Sequence, residues 1–532
     1  MIEILANYIM KEYLVQILLL NFILVCVLFV LNYKDIFSYF KRIKKTAWII
    51  FILILIVGSI VRVAWPGCMS SDGLCWNYVG EAETILKLRE VPFSKYSSGY
   101  PFILAISFFF FGLSYHTILY LNIFLSSLTI LLVFLLTYAL FKRDEISLFS
   151  ALVYSLLPMP IHYAKFGASE VTGTFFATLA VLIFIVSLNV NKRNLYYLSG
   201  LLLVFAMHAR LDNAILVPVF ILGLFLYRRK ISLKRLKLPL LIFLIFMLPV
   251  SFYYVNFTTN FSPAKHPYLH GKLISGEGYT TFSINYLFPN FIKNLELFSD
   301  GRLYPVLLYI FLFISFLFVR KEKNLLLPVF WICVFLLLYG IYFGSLYVKG
   351  AIEIWHILLQ PPVAILIGYG IFSVKDFLLG ISGKLFSFKL TENLKTLIPL
   401  AVLILIFSFF FYTTDIFRFE TNSKCWTDTI LSVSEEVDNE DCLLIENSKS
   451  DYLKEYRPIQ IANVLLPEKH KSIDTEGCHG REMFYLYTNE TECGPNFFFG
   501  REKSLLEIIK NEASLIPVRE DECIVLYKVE PK

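Results

Sequence analysis

Apolar segments long enough to cross a lipid bilayer recur from the N-terminal region to about residue 412, and no other feature constrains the fold as much. A hydrocarbon core about 30 Å thick demands about 20 apolar residues per helix. Of the 532 residues, 57% are hydrophobic and 17% charged, outside the balance of a water-soluble globular protein, so lipid is the main solvent. The chain reads as mainly α, a polytopic helical membrane bundle of about twelve crossings. Its first apolar stretch, near Tyr13 to Asn32, is followed by a basic patch and not by a small-residue cleavage site, so it reads as a retained membrane anchor. Residues 1–46 are then an anchor helix with a basic cytoplasmic loop.

The formal charge of +6 comes from Lys and Arg in short clusters between apolar segments, not in one stripe, which points away from nucleic acid and reports orientation instead. Positive loops face the cytoplasm. That places Lys41 to Lys45, Lys142 to Arg143, Lys192 to Arg193, Arg228 to Lys237, Arg320 to Lys323 and Lys375 to Lys395 inside. The outside receives residues 66–98, the turn 161–170, the Arg210 region, residues 256–302, the stretch near Lys349 and everything after Thr413. Gly99 to Phe111 is apolar but short, and counting it as a crossing would put Lys142 and Arg143 outside; it reads as re-entrant or interfacial, with Pro101 suiting a first helical position. The 17% of aromatic residues is met by lipid-facing surfaces and interfacial belts.

After Thr413 the composition turns charged and polar, with β-rich runs at Cys442 to Ile445 and Cys523 to Val529 and a helical pattern at Ser504 to Asn511. Residues 413–532 therefore form a small α/β or α+β exported domain, behind a membrane domain at 47–412. Cys68 and Cys75 share the first outer loop, where they can pair; Cys425, Cys442, Cys478, Cys493 and Cys523 lie in the exported domain, and five cannot all pair there. Glycosylation acceptors occur at Asn256, Asn260 and Asn489, all on the expected outer face.

Acids gather in the first outer loop, which carries Asp72, then Tyr78, Glu81 and Glu83, then Tyr100 and Pro101. Transfer of a glycosyl group to a hydroxyl needs a carboxylate that accepts the proton, and Asp72 is the candidate base. Ser71-Asp72-Gly73 is also ordinary turn chemistry, and Glu81 and Glu83 also fit a solvated helix face. Glu170 stands where an apolar helix re-enters the membrane, either as a plain helix-start carboxylate or as a partner of Asp72 in holding an acceptor sugar or a divalent cation. Arg210 and Asp212 interrupt a long apolar stretch. Charges at membrane depth mark a ligand or pathway, and a guanidinium suits a lipid-borne phosphate; the alternative is an Arg210–Asp212 pair that closes a helix hairpin. Lys349 and His356 flank a late helix start and could contact a phosphate or sugar, although snorkelling explains Lys349 and a packed donor explains His356.

Together these pieces resemble the GT-C superfamily of membrane glycosyltransferases, in the branch of the dolichyl-phosphate-mannose protein mannosyltransferases and aminoarabinose transferases. The resemblance runs over residues 47–375: Asp72 with Tyr78 and Ala82, the Tyr100-Pro101 entry, Lys142-Arg143-Asp144-Glu145 before Leu148 to Leu152, the Ser155 to Pro158 helix end, Glu170, Arg210 with Asp212, and the Pro361 helix. It implies an inverting transfer from a polyprenyl (dolichyl) phosphate sugar on the outer face, to a protein, glycan or lipid acceptor. Asp72 would be the base, Glu170 would help arrange the site, and Arg210 with Lys165 would hold the donor phosphate. Gly73 stands where a second acid is usual, and Trp355-His356 where relatives show an Arg-Tyr pair. A transporter or flippase of lipid-linked saccharides, or a non-catalytic scaffold, would share the bundle; transporters usually carry repeats and midplane breaks, and a scaffold has no need of Asp72, Glu170 and Arg210 on one side.

Overall fold

The computed structural model describes residues 2–64, 73–87, 98–165, 167, 169–230, 233–260, 283–299, 306–342 and 356–385, five strands between 442 and 531, and a few isolated positions between 399 and 441. Asp72, Lys349, the Cys68–Cys75 pair, Asn489 and the pattern at Ser504 to Asn511 lie outside the described residues, as do the side chains of Asn256 and Asn260.

The membrane part is helical: α1 (Ile2–Phe40), α2 (Lys45–Ala64), α3 (Gly73–Leu86), α4 (Gly99–Phe111), α5 (Tyr115–Phe141), α6 (Asp144–Leu156), α7 (Pro158–His162), α8 (Ser169–Val190), α9 (Arg193–Ala209), α10 (Leu216–Leu226), α11 (Leu233–Asn260), α12 (Leu287–Ser299), α13 (Val306–Phe318), α14 (Leu326–Ile341) and α15 (Gln360–Leu385). Helices α5, α8 and α15 are buried along most of their length, whereas α1, α2 and α11 turn rows of large apolar side chains outward, as lipid-facing helices must. Hydroxyls in the interior are satisfied locally. Thr129, Thr137, Thr174 and Thr178 each donate to the carbonyl four residues back, so they cost the apolar interior no orphaned donor.

Among the described residues, seven helices are long and apolar enough to cross a membrane, or eight if the bent pair α6–α7 counts as one span. That count does not reach about twelve. Polar turns and prolines cut the apolar stretches short: α9 has 17 residues, and α10 and α13 have 11 and 13. Helix α4 has 13 residues, about 20 Å at 1.5 Å per residue. It buries Gly99 to Phe108 and exposes Phe109, Phe110 and Phe111 at its tip, in keeping with a segment that does not traverse the bilayer. Pro101 is its third residue, not its first, still within the turn whose N–H groups need no helical partner.

The basic clusters meet at one end of the bundle. Lys142 lies over the rings of Tyr39 and Tyr138, the Lys44 amide donates to Asp144, and Lys375 pairs with Glu145. Lys192 pairs with Asp35, and Arg235 donates to the Asn191 carbonyl. Bare glycine faces set the helix spacing elsewhere: a Cβ on Gly368 would lie 2.3 Å from the Ser150 hydroxyl of α6, and one on Gly370 would lie 1.9 Å from the Phe311 carbonyl of α13.

The C-terminal part contributes β1 (Cys442–Leu444), β2 (His470–Ser472), β3 (Met483–Thr488), β4 (Ala513–Asp521) and β5 (Ile524–Pro531), in the order β2-β1-β3-β5-β4. The first three are parallel to one another and the last pairs are antiparallel. The runs read as β-rich in the sequence are β1 and β5, the latter burying Leu526 and Val529. A register shift falls between Pro517 and Arg519, where proline has no N–H to give the ladder.

Because the α13 backbone occupies the space a Cβ needs at Gly370, Gly370→Ala should lower the thermal midpoint of the detergent-purified protein, at an overpacking cost of about 1–3 kcal/mol. At Gly200 the nearest atom would be 3.7 Å away, so Gly200→Ala should leave the midpoint equal or slightly raised in the same melt.

Candidate active site

Arg210 ends α9. Its backbone turns extended (φ −159°, ψ 121°) while its N–H still donates to the Ala206 carbonyl at 2.9 Å, and a short 3-10 turn, Leu211–Ile215, follows. The Asn213 amide fastens that turn, donating to Ala206 O at 2.8 Å and to Gly173 O of α8 at 3.1 Å. Gly173 must be small here, since a Cβ would meet the Arg210 Cβ at 2.9 Å. The guanidinium is thereby pressed against the first turns of α8.

There it joins two carboxylates. Arg210 Nη1 donates to Glu170 Oε1, and Nε and Nη2 each lie 2.6 Å from Asp212 Oδ2. The Tyr339 hydroxyl, from the end of α14, donates to the same Asp212 oxygen. Glu170 and Arg210 are each only 8% exposed, so charge pairing is what makes their burial tolerable. One cation against two anions leaves the cluster with a formal charge of −1. Glu170 Oε2 is buried and accepts no hydrogen bond among the described residues, which leaves it able to receive a donor.

Helices α3 and α4 abut this cluster. Tyr78 of α3 lies 3.3 Å from the Ser169 hydroxyl, next in sequence to Glu170, and meets the Tyr100 ring edge-on at 5.3 Å. The Tyr100 hydroxyl accepts from Asn122 Nδ2 at 2.9 Å, and Ser98 donates to Glu81 at 3.4 Å. Gly99 seats α4 directly on the end of α9: a Cβ there would lie 2.3 Å from the His208 backbone. Glu81, for which a solvated helix face was one reading, is 8% exposed and bonded to Ser98; Glu83 is half-buried and pairs with the exposed Lys87.

The structure thus brings together Glu170, Arg210 and Asp212, with Tyr78, Glu81 and Tyr100 beside them. Lys165 ends the short turn Tyr163–Lys165 ahead of α8 and is half-buried. His356 is the packed donor of the two readings given for it. It is 1% exposed, its Nε2 lies 2.7 Å from Asn294 Oδ1, and the Phe335 ring stands edge-on to it at 5.9 Å, between it and Tyr339. Arg210 realises the pairing with Asp212 and adds Glu170 and the Tyr339 hydroxyl to it. No three His, Cys, Asp or Glu side chains converge as metal ligands among the described residues, which do not include Asp72.

Sequence reasoning missed Tyr339, Asn213 and Ser169. Tyr339 lies in Leu-Leu-Leu-Tyr-Gly at an apolar helix end, indistinguishable in sequence from an interfacial-belt tyrosine. Asn213 stands beside the Arg-Leu-Asp signal and could have been taken with it.

A family model described as dolichyl-phosphate-mannose-protein mannosyltransferase matches residues 97–253. The fold is similar to that of ArnT from Cupriavidus metallidurans, in a crystal structure bound to undecaprenyl phosphate, at 13% identity and a TM-score of 0.53, over 91% of this chain and 98% of that one. The apo form of the same protein aligns at 13% identity and a TM-score of 0.51, with the same coverage. The oligosaccharyltransferase of Archaeoglobus fulgidus in its apo form aligns at 11% identity and a TM-score of 0.47, over 86% of this chain and 71% of that one. No curated protein matches the chain by sequence. The chain is a multi-pass membrane protein, and its fold is that of the GT-C membrane glycosyltransferases.

Proposed function

We propose that this protein transfers a sugar from a polyprenyl-phosphate donor to a protein, glycan or lipid acceptor at the extracytoplasmic face, with inversion at the anomeric carbon. The observation that carries the reading is the Glu170–Arg210–Asp212–Tyr339 cluster, buried but for Asp212, at the converging ends of α8, α9 and α14, opposite the basic end of the bundle. Positive loops face the cytoplasm, so the cluster and residues 413–532 are assigned to the outer side. The mannosyltransferase family model over residues 97–253, which include Glu170 and Arg210, and the undecaprenyl phosphate of the ArnT structure support the donor class.

Asp72 takes the proton of the attacking hydroxyl. The oxygen forms its bond to the anomeric carbon as the bond to the phosphate oxygen breaks on the opposite side, and the polyprenyl phosphate leaves with the electron pair. Phosphate is already a good leaving group, so stabilising its charge matters more than protonating it. Lys165 and Lys349 supply positive charge for it. Arg210 serves first as the clamp that fixes two carboxylates and second as a hydrogen-bond donor to the phosphate; a cluster of net −1 is a weak anion site by itself. Glu170 offers Oε2 to the acceptor, or to a divalent cation shared with Asp72. Tyr78, Glu81 and Tyr100 shape the acceptor side.

Incubation of the purified full chain with a panel of polyprenyl-phosphate sugars should release polyprenyl phosphate from at least one of them and none of the sugar from nucleotide donors. Failure to turn over or bind any polyprenyl phosphate would sink the reading. Asp72→Asn should lower turnover by about 10²–10⁴-fold with insertion and melting unchanged, the scale of a lost general base. Tyr339→Phe removes the hydroxyl that bonds Asp212 and Arg210, so turnover should fall about ten-fold while the protein stays folded; an unchanged rate would take Tyr339 out of the site.

A further inference from the structure

A second buried cation lies outside this cluster. Helix α6 ends in Ser155-Leu156-Leu157-Pro158-Met159-Pro160, and neither proline has an N–H to return to the carbonyl four residues back. Leu157 is extended (φ −63°, ψ 131°), as a residue before proline must be, and α7 leaves α6 at 57°. The break strips helical partners from carbonyls at a depth where water is scarce.

Arg62, in the last turn of α2 and fully buried, supplies them. Its Nη1 donates to Ser155 O at 3.0 Å and Nη2 to Tyr154 O at 3.4 Å, while Nη1 also reaches Gly58 O at 2.9 Å. Its Nε donates to the Ser126 hydroxyl of α5 at 2.8 Å, and that hydroxyl donates to Pro160 O at 3.0 Å, across the break. Gly58 makes the approach feasible, because a Cβ there would lie 2.8 Å from Ser155 Cβ. Among the described residues the guanidinium thus bonds one hydroxyl of α5 and three carbonyls, one of α2 and two of α6 just before the bend, and reaches the far side of the bend through Ser126.

The chain beyond the bend is the segment that carries Lys165, Ser169 and Glu170. We propose that Arg62 is a positioning residue: it holds the α6–α7 bend and so fixes where residues 158–170 present Lys165 and Glu170, without touching substrate. The consequence for ligand binding rests on the function proposed above; the hold on the bend does not. A planar fork reaching three helices is a task a lysine ammonium meets only in part.

The test uses the full chain with Arg62→Met, Arg62→Lys, Pro158→Ala and the double variant Arg62→Met/Pro158→Ala. Hydrogen exchange of residues 157–170, read by mass spectrometry, should rise at least about ten-fold in Arg62→Met, less in Arg62→Lys, and little elsewhere. Undecaprenyl phosphate, used as the probe, should bind at least about ten-fold more weakly to Arg62→Met. Pro158→Ala gives the Tyr154 carbonyl an amide partner and lets the helix straighten; in the double variant the melting temperature should recover while probe affinity stays low. Recovery of affinity together with stability would reduce Arg62 to a structural part, and unchanged exchange of 157–170 in Arg62→Met would end the proposal. A wild-type chain that fails to bind the probe would count against the proposed function, and the exchange result would still decide the role of Arg62.

Discussion

The arrangement depends on a guanidinium shared between two carboxylates away from water. Arg210 can be buried only because Glu170 and the half-buried Asp212 accept from it, and Glu170 can be buried only because it is there. Removing Arg210 leaves two carboxylates uncompensated, a penalty of about 3–5 kcal/mol. The requirement is stringent because the partners come from three helix ends. It obliges α8, α9 and α14 to finish at one level, and Gly173 and Asn213 are the local means by which they do.

Lipid gives the rest of the bundle little help in choosing a single packing, since an apolar side chain is as comfortable against an acyl chain as against a neighbouring helix. Polar links at the two ends and close backbone contacts between them do that work. At one end lie the basic clusters, tied by Lys375 with Glu145 and by Lys142 over Tyr39. At the other lie the carboxylates. Gly99, Gly368 and Gly370 let α4 and α15 touch their neighbours' main chains, so relative helix heights are set by contact rather than by oily affinity.

Two arginines divide the labour of the acidic end. Arg210 neutralises side-chain charge, whereas Arg62 answers main-chain dipoles exposed where prolines interrupt α6. Both are buried, and both stand where a helix stops. The stretch between them is held just before its start by the bonds from Arg62 to the Tyr154 and Ser155 carbonyls, near its start by Ser126 on the Pro160 carbonyl, and at its far end by the bond from Arg210 to Glu170.

The sequence alone determined the solvent and the order of parts. Apolar runs of bilayer length, basic clusters in alternation and an abrupt polar tail specify a membrane bundle followed by a mixed domain, because hydropathy and charge act locally and are written residue by residue. It also singled out Glu170, Arg210 and Asp212, since charges at membrane depth are rare enough to be conspicuous. What it left open needed tertiary contacts: that Arg210 binds both acids, that His356 turns to Asn294, that Glu81 is buried, and that Tyr339 joins the site from 127 residues beyond Asp212. A tyrosine at an apolar helix end reads the same whether it meets lipid headgroups or a carboxylate, and only the packing of α14 against the end of α9 decides between them.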